Sequence, residues 1–192
     1  MEKIKLSWSI ISSWSAGRRD DAIKMFMGGN IEDNVYLQEG RRLHKLISDK
    51  KLRLLPIIKD TAIFEDINPE EHKWVNYFRV PVFDWLEMSM VADVLDPVEG
   101  LLIDWKTGSR KSTQHNKLQL YIYAYLLTKL EQPIYIKSAI LAKVSEDVSG
   151  AVICDDFSLF SIDDNKLEIA ENYIESNASE IFNFIQEMNN GK

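Results

Sequence analysis

Apolar residues recur at helical spacing near both ends of the chain, whereas the middle carries short apolar runs with strand character. Trp8, Ile10, Ile11, Trp14, Ile23 and Phe26 predict one helix over Ser7–Met27, stopped by Gly28-Gly29. A second helix is expected from about Ile31 to Ser48, with Val35, Leu37, Leu43 and Ile47 on its buried face. From Leu52 to Trp105 the runs are rich in β-branched and aromatic residues, and Leu54–Ile58, Trp74–Val82, Trp85–Leu95 and Leu101–Trp105 read as strands. Asp96-Pro97-Val98-Glu99-Gly100 has turn chemistry and should join the last two as an antiparallel hairpin. A helix over Leu118–Leu130, strands over Ile134–Val144 and Ala151–Ile162, and a closing helix over Leu167–Met188 complete the series. That order predicts an α/β architecture, a central mixed β-sheet flanked by helices.

Composition narrows the class. A chain of 192 residues, 45% hydrophobic and 28% charged, is expected to fold as a single domain with a full core, which excludes disordered, collagenous and mini-protein classes. Its 23 Lys plus Arg against 30 Asp plus Glu leave a net charge of −7, so contact with nucleic acid must be local rather than a bulk attraction. The lone Cys154 excludes a disulfide framework and a four-cysteine zinc or iron–sulfur site, and points to a reducing compartment. No stretch approaches the roughly 18 apolar residues of a membrane span. A soluble, cytoplasmic protein without membrane contact is the expectation.

Chemistry concentrates at the predicted hairpin. Asp93 lies on one strand and Asp104 near the end of its partner, where two carboxylates on one side can share a divalent cation; oxygen ligands suit Mg²⁺ or Mn²⁺. Lys106 is two residues beyond Asp104, so strand alternation sends both side chains to one face. The acid-x-Lys spacing also occurs at Asp49, Glu71 and Asp164, but only the Asp104 triplet follows an apolar run, ends in Thr107-Gly108 and faces a second strand acid across a turn. A solvated strand end is the bland alternative, and Asp96 is the second candidate for the first acid.

These residues resemble the RecB-like branch of the PD-(D/E)XK nuclease superfamily, including its CRISPR-associated exonucleases, whose core is an Asp, a short hairpin and Asp-Tyr-Lys-Thr-Gly. Here the last motif reads Asp104-Trp105-Lys106-Thr107-Gly108. Gly40-Arg41-Arg42-Leu43-His44 matches the upstream Gly and His, Gln119 with Tyr123 matches Gln-x-x-x-Tyr, and Leu6-Ser7-Trp8-Ser9-Ile10-Ile11 is similar to the entry segment. The likeness covers about residues 6 to 125. It departs from the pattern in Trp105 for Tyr and in lacking the cysteines of the iron–sulfur cluster found in many members.

The resemblance implies a restriction-endonuclease-like core, with a helical entry bearing the His motif over 1–51, a catalytic core over 52–130 and closing strands and helix over 131–192. It implies that His44, Asp93, Asp104 and the Trp105 carbonyl hold Mg²⁺ or Mn²⁺, with no iron–sulfur cluster, while Lys106, Gln119 and Tyr123 serve catalysis. Gly40 lets helix and sheet approach closely. Arg41, Arg110, Lys111 and Lys117, together with Arg18-Arg19, Lys50-Lys51 and Arg53, supply a local basic rim for DNA. The acids of the last helix suit packing or a protein partner. The implied activity is a metal-dependent deoxyribonuclease, an exonuclease on single-stranded or free-ended DNA, in recombination, repair or replication of a bacterium, phage or other mobile element. A helicase or recombination protein is the implied partner, and oligomeric state stays open. The rival is a catalytically silent nuclease-fold module that binds DNA ends or a protein; a third reading is an interaction domain without nucleic acid.

Overall fold

A computed structural model describes residues 3–29, 35–49, 58, 61–68, 73–107 and 114–190. In chain order these form β1 (Ile4–Ser7), α1 (Trp8–Ser15), α2 (Arg19–Phe26), α3 (Val35–Ser48), β2 (Ile63–Phe64), β3 (Ile67–Asn68), β4 (Lys73–Trp74), β5 (Tyr77–Phe83), β6 (Leu86–Val91), β7 (Val94–Asp96), β8 (Leu101–Thr107), α4 (Gln114–Thr128), β9 (Ser138–Glu146), β10 (Val152–Ser161) and α5 (Asp164–Asn190). Among the described residues a five-stranded sheet runs β10-β9-β8-β7-β2, a three-stranded sheet runs β1-β6-β5, and β3 pairs with β4. The five-stranded sheet is mixed, since β8 pairs parallel with β9 and the other neighbours are antiparallel.

Alternation along β8 builds the layers. Leu102 faces a large core made with the inner side of the three-stranded sheet and with α1, α4 and α5, through residues such as Met88, Ile11, Leu126 and Ile174. Ile103 and Trp105 face the opposite side, where Leu43 and Ile47 of α3 cover Ile140, Ala142 and Val144. The sheet is therefore enclosed by α4 and α5 on one face and by α3 on the other, which buries both sets of apolar positions.

The single helix predicted over Ser7–Met27 is two. Gly17 at φ 75 ends α1, with the Gly17 amide donating to Trp14 O and the Arg18 amide to Ser13 O, a Schellman closure that a left-handed glycine permits. Gly28-Gly29 stops α2 as expected, with the same pair of bonds to Met25 O and Lys24 O. The start of the predicted strand at Trp85 and its end at Leu95 enclose a break: the chain leaves β6 of one sheet and enters β7 of the other, with Ala92-Asp93 between. The run Trp74–Val82 likewise divides at Val75-Asn76 into β4 and β5. Asn76, buried at this break, accepts the Ala92 amide on its backbone carbonyl and donates its Nδ2 to Ile63 O, joining the segment to β2. Of the strand predicted over Leu54–Ile58, all but Ile58 lie outside the described residues, and Ile58 is not in a strand. Residues 30–34 and the side chains of Val35 and Leu37 also lie outside them.

The β7–β8 hairpin forms as predicted, with Leu95 opposite Leu102 and Asp96 opposite Leu101. Gly100 closes it at φ 68, where an added Cβ would lie 2.8 Å from Tyr135 O. The predicted helix at Leu118 begins earlier, at Gln114, and Leu130 falls beyond its end. In α5, Ile174 and Ile181 are buried and Phe184 and Ile185 partly so, while Met188 is exposed.

Candidate metal centre

Asp93 is placed by the break between the two sheets. It lies just outside β7, and its Oδ2 accepts the Trp105 amide of β8 at 2.7 Å. Asp93 is 9% exposed and carries its carboxylate at the end of the hairpin opposite the turn. The β2–β7 pairing sets Ile63 opposite Leu95 and Phe64 opposite Val94; the Glu65 amide then donates to Asp93 O at 2.8 Å. Continued register thus makes Glu65 the cross-strand neighbour of Asp93.

His44 comes from α3, one turn beyond Gly40. A Cβ on Gly40 would lie 3.3 Å from Thr107 Oγ1, a contact that keeps α3 close to the end of β8. His44 Nδ1 lies 3.2 Å from Asp93 Oδ1 and 3.6 Å from Glu65 Oε2. One ligand atom from each of His44, Glu65 and Asp93 falls within 4.8 Å of the others, a donor set of one nitrogen and two carboxylates. Asp104 is 5% exposed and outside that trio, with Oδ2 2.7 Å from Lys106 Nζ. Oδ2 is buried, and the ammonium is paired with it as an ion pair.

Burial and the mutual charges of the cluster set its titration. Burial raises Asp93 above its ordinary value, against the pull of His44, and raises Asp104 to about 6 despite Lys106 alongside. Burial alone would lower His44, but Asp93 and Glu65 outweigh it and lift the imidazole to about 10. Burial also opposes ionisation of Glu65, yet hydrogen bonds with His44 and Asp93 bring it below its ordinary value. The donor set of the trio, one nitrogen and two carboxylates with buried Asp104 alongside, fits a divalent cation, since an ion would be matched by acidic groups whose charge burial resists.

Lys106 Nζ donates to Gln119 Oε1 at 2.9 Å, and Gln119 Nε2 donates to the Tyr123 hydroxyl at 3.1 Å. The two bonds orient the Gln119 amide, with its carbonyl toward the lysine. Burial raises the Tyr123 phenol well above its ordinary value, so it remains neutral. Trp105 itself fills the α3-side core.

Asp96 occupies a different environment. Its Oδ1 accepts the Val98 and Glu99 amides and its Oδ2 the Thr61 hydroxyl, so its carboxylate braces the turn. Of the basic positions, Arg41 is exposed on α3 and Lys117 places Nζ 5.6 Å from the Phe160 ring centroid. Arg42 pairs with Glu39 and Glu146. Arg110, Lys111, Lys50, Lys51, Arg53 and Gly108 lie outside the described residues. Trp8 and Trp14 are buried, and Trp14 donates to Glu180 of α5. Glu65 is the site residue that sequence reasoning missed; the only signal available was the antiparallel register of β2 against β7.

No protein-family model matches the chain, and no curated protein matches it. Among solved structures it is similar to the alkaline exonuclease LHK-Exo of Laribacter hongkongensis, in its own crystal structure and in complex with dAMP. The dAMP complex matches with 13% identity and a TM-score of 0.60 over 97% of this chain and 92% of that one. A phage-related exonuclease of Haemophilus somnus 129PT matches with 14% identity and a TM-score of 0.52 over 91% and 82%. The chain has the fold of these exonucleases, a mixed α/β fold with its sheets flanked by helices. No helix among the described residues is long and apolar enough to cross a membrane.

Proposed function

We propose that this protein is a metal-dependent deoxyribonuclease of the RecB-like type that removes nucleotides from free DNA ends. The observation that carries the reading is the convergence of His44, Glu65 and Asp93 beside buried Asp104 and its ion pair with Lys106. His44, Glu65, Asp93 and Asp104 would hold Mg²⁺ or Mn²⁺, with the Trp105 carbonyl of the resemblance as a further donor. A bound cation supplies Lewis acidity to the phosphate and lowers the pKa of a coordinated water.

The chain's own groups do the remaining work. Lys106, oriented by Gln119, donates to a non-bridging phosphoryl oxygen as negative charge builds there. Tyr123 holds Gln119 and excludes water from behind it. Water adds to phosphorus, the bond to the leaving oxygen breaks, and that oxygen departs with a proton; the products are a phosphate monoester and an alcohol. The fold shared with exonucleases supports action at ends, and the dAMP bound to one of them supports mononucleotide products. The setting that fits this activity is DNA recombination, repair or replication in the cytoplasm, alongside a helicase or recombination protein.

Purified protein incubated with end-labelled single-stranded and duplex DNA should release mononucleotides or short ladders with Mg²⁺ or Mn²⁺ and none with EDTA. Asp104→Ala, Lys106→Ala and Glu65→Gln should each lower the rate by about 10² or more, the scale for losing one electrostatic stabiliser. Full metal-dependent activity in Asp104→Ala would sink the mechanism. DNA binding without cleavage by folded, metal-loaded protein would favour the silent binding module.

A further inference from the structure

The face of α4 that carries Tyr123 and Gln119 continues outward to His115, since residues four apart share a helix face. Tyr123 is buried, Gln119 half-buried against Lys106, and His115 exposed, so this line leads from the core past the lysine to solvent. His115 is not left to move. Its Nε2 lies 2.9 Å from the Ser12 hydroxyl, and its ring sits 4.9 Å from the Trp8 ring at 40°. Both partners belong to α1, and Ser12 and Trp8 are buried. Bracing of an exposed imidazole by two buried side chains leaves its second ring nitrogen for a ligand.

The surrounding charge defines that ligand. Partial burial lowers the His115 pKa, and the positive charges of Lys106 and Arg18 lower it further. Lys106 on β8 and Arg18 between α1 and α2 therefore both bear on His115 of α4. Two cations bearing on a braced, neutral imidazole favour an anion as its ligand.

Resting on the nuclease reading above, we propose that His115, braced by Ser12 and Trp8, is a substrate-positioning residue. It seats the DNA phosphate next to the one being cleaved. The scissile phosphate takes the Lys106 end of the line and its neighbour the His115 end, about one helical turn of roughly 5.4 Å away. Ser12 acts through His115 by fixing the ring.

The test compares wild type, His115→Ala, His115→Gln and Ser12→Ala in Mn²⁺ on single-stranded oligonucleotides. One set carries natural linkages, and the others carry a neutral methylphosphonate at one of the terminal linkages in turn. His115→Ala should raise KM by about tenfold, the scale of one charge-assisted hydrogen bond, with the loss mainly in KM rather than kcat. His115→Gln should recover part of it and Ser12→Ala should fall between. When the methylphosphonate sits beside the scissile linkage, wild type and His115→Ala should converge. An unchanged KM in His115→Ala, or a difference that persists whichever linkage is neutral, overturns the proposal. A wild type that neither binds nor cleaves the natural oligonucleotide overturns the nuclease reading first, and this inference with it.

Discussion

His44 keeps its proton up to about pH 10 because Asp93 and Glu65 outweigh its burial, so a divalent cation that takes the imidazole must displace that proton. Asp104, raised by burial to about 6, adds a second proton below that pH. Mn²⁺ affinity should therefore rise with pH by up to about tenfold per unit from pH 6 to 9, and more steeply below 6. Titration calorimetry in two buffers of different ionisation enthalpy will count the released protons. The metal-free protein should behave oppositely. His44, raised from 6.5, contributes stability that is fully present below 6.5 and lost as pH climbs toward 10. Ionising buried Asp104 costs stability progressively from its ordinary 3.8 to about 6. Thermal unfolding in EDTA should fall from pH 5 to 9, and a rise across that range would contradict both assignments. Asp104 and Lys106 were legible because alternation alone puts them on one face. Glu65 was not, because it follows a two-residue strand and carries no spacing of its own; only pairing against β7 brings it to Asp93.

At the scale of elements the hairpin turn lies at the opposite end of its strands from the candidate metal ligand Asp93. Asp96 holds two turn amides and Thr61, so Asp96→Ala should cost about 1–3 kcal/mol by removing the three hydrogen bonds its buried carboxylate accepts. Gly100→Ala meets both a left-handed backbone and the Tyr135 carbonyl, and should cost roughly 2 kcal/mol or more. Urea unfolding will read both losses, and single-turnover cleavage at saturating metal should be little changed in the folded fraction. The turn was legible from Asp-Pro and Gly, whereas its role for Asp96 as brace needed the structure to separate it from Asp93. The α1–α2 division was partly legible: Gly17 stood inside an apolar recurrence that continues across the Schellman closure, and the recurrence masked the stop. The four-residue β1 alternates Ile4, Lys5, Leu6 and Ser7, a correct strand pattern too short to separate from the helix behind it.

Across the whole molecule, the expected mixed sheet with helices on its faces formed, and among the described residues a separate three-stranded sheet shares its core. Local patterns could not show this, because β6 and β7 are nearly continuous in hydrophobicity and the two-residue interval between them contains Ala92 and the candidate ligand Asp93. Asn76 bridges that interval, with a long 3.2 Å bond from the Ala92 amide on one side and a 2.9 Å bond to Ile63 O on the other. The Ala92 amide should accordingly take up deuterium before those of β6 and β8 beside it, and mass-resolved exchange will show this. That single peptide then serves as a clock for how often the bond between Ala92 and Asn76 opens, and a cation gripping Asp93 should slow it.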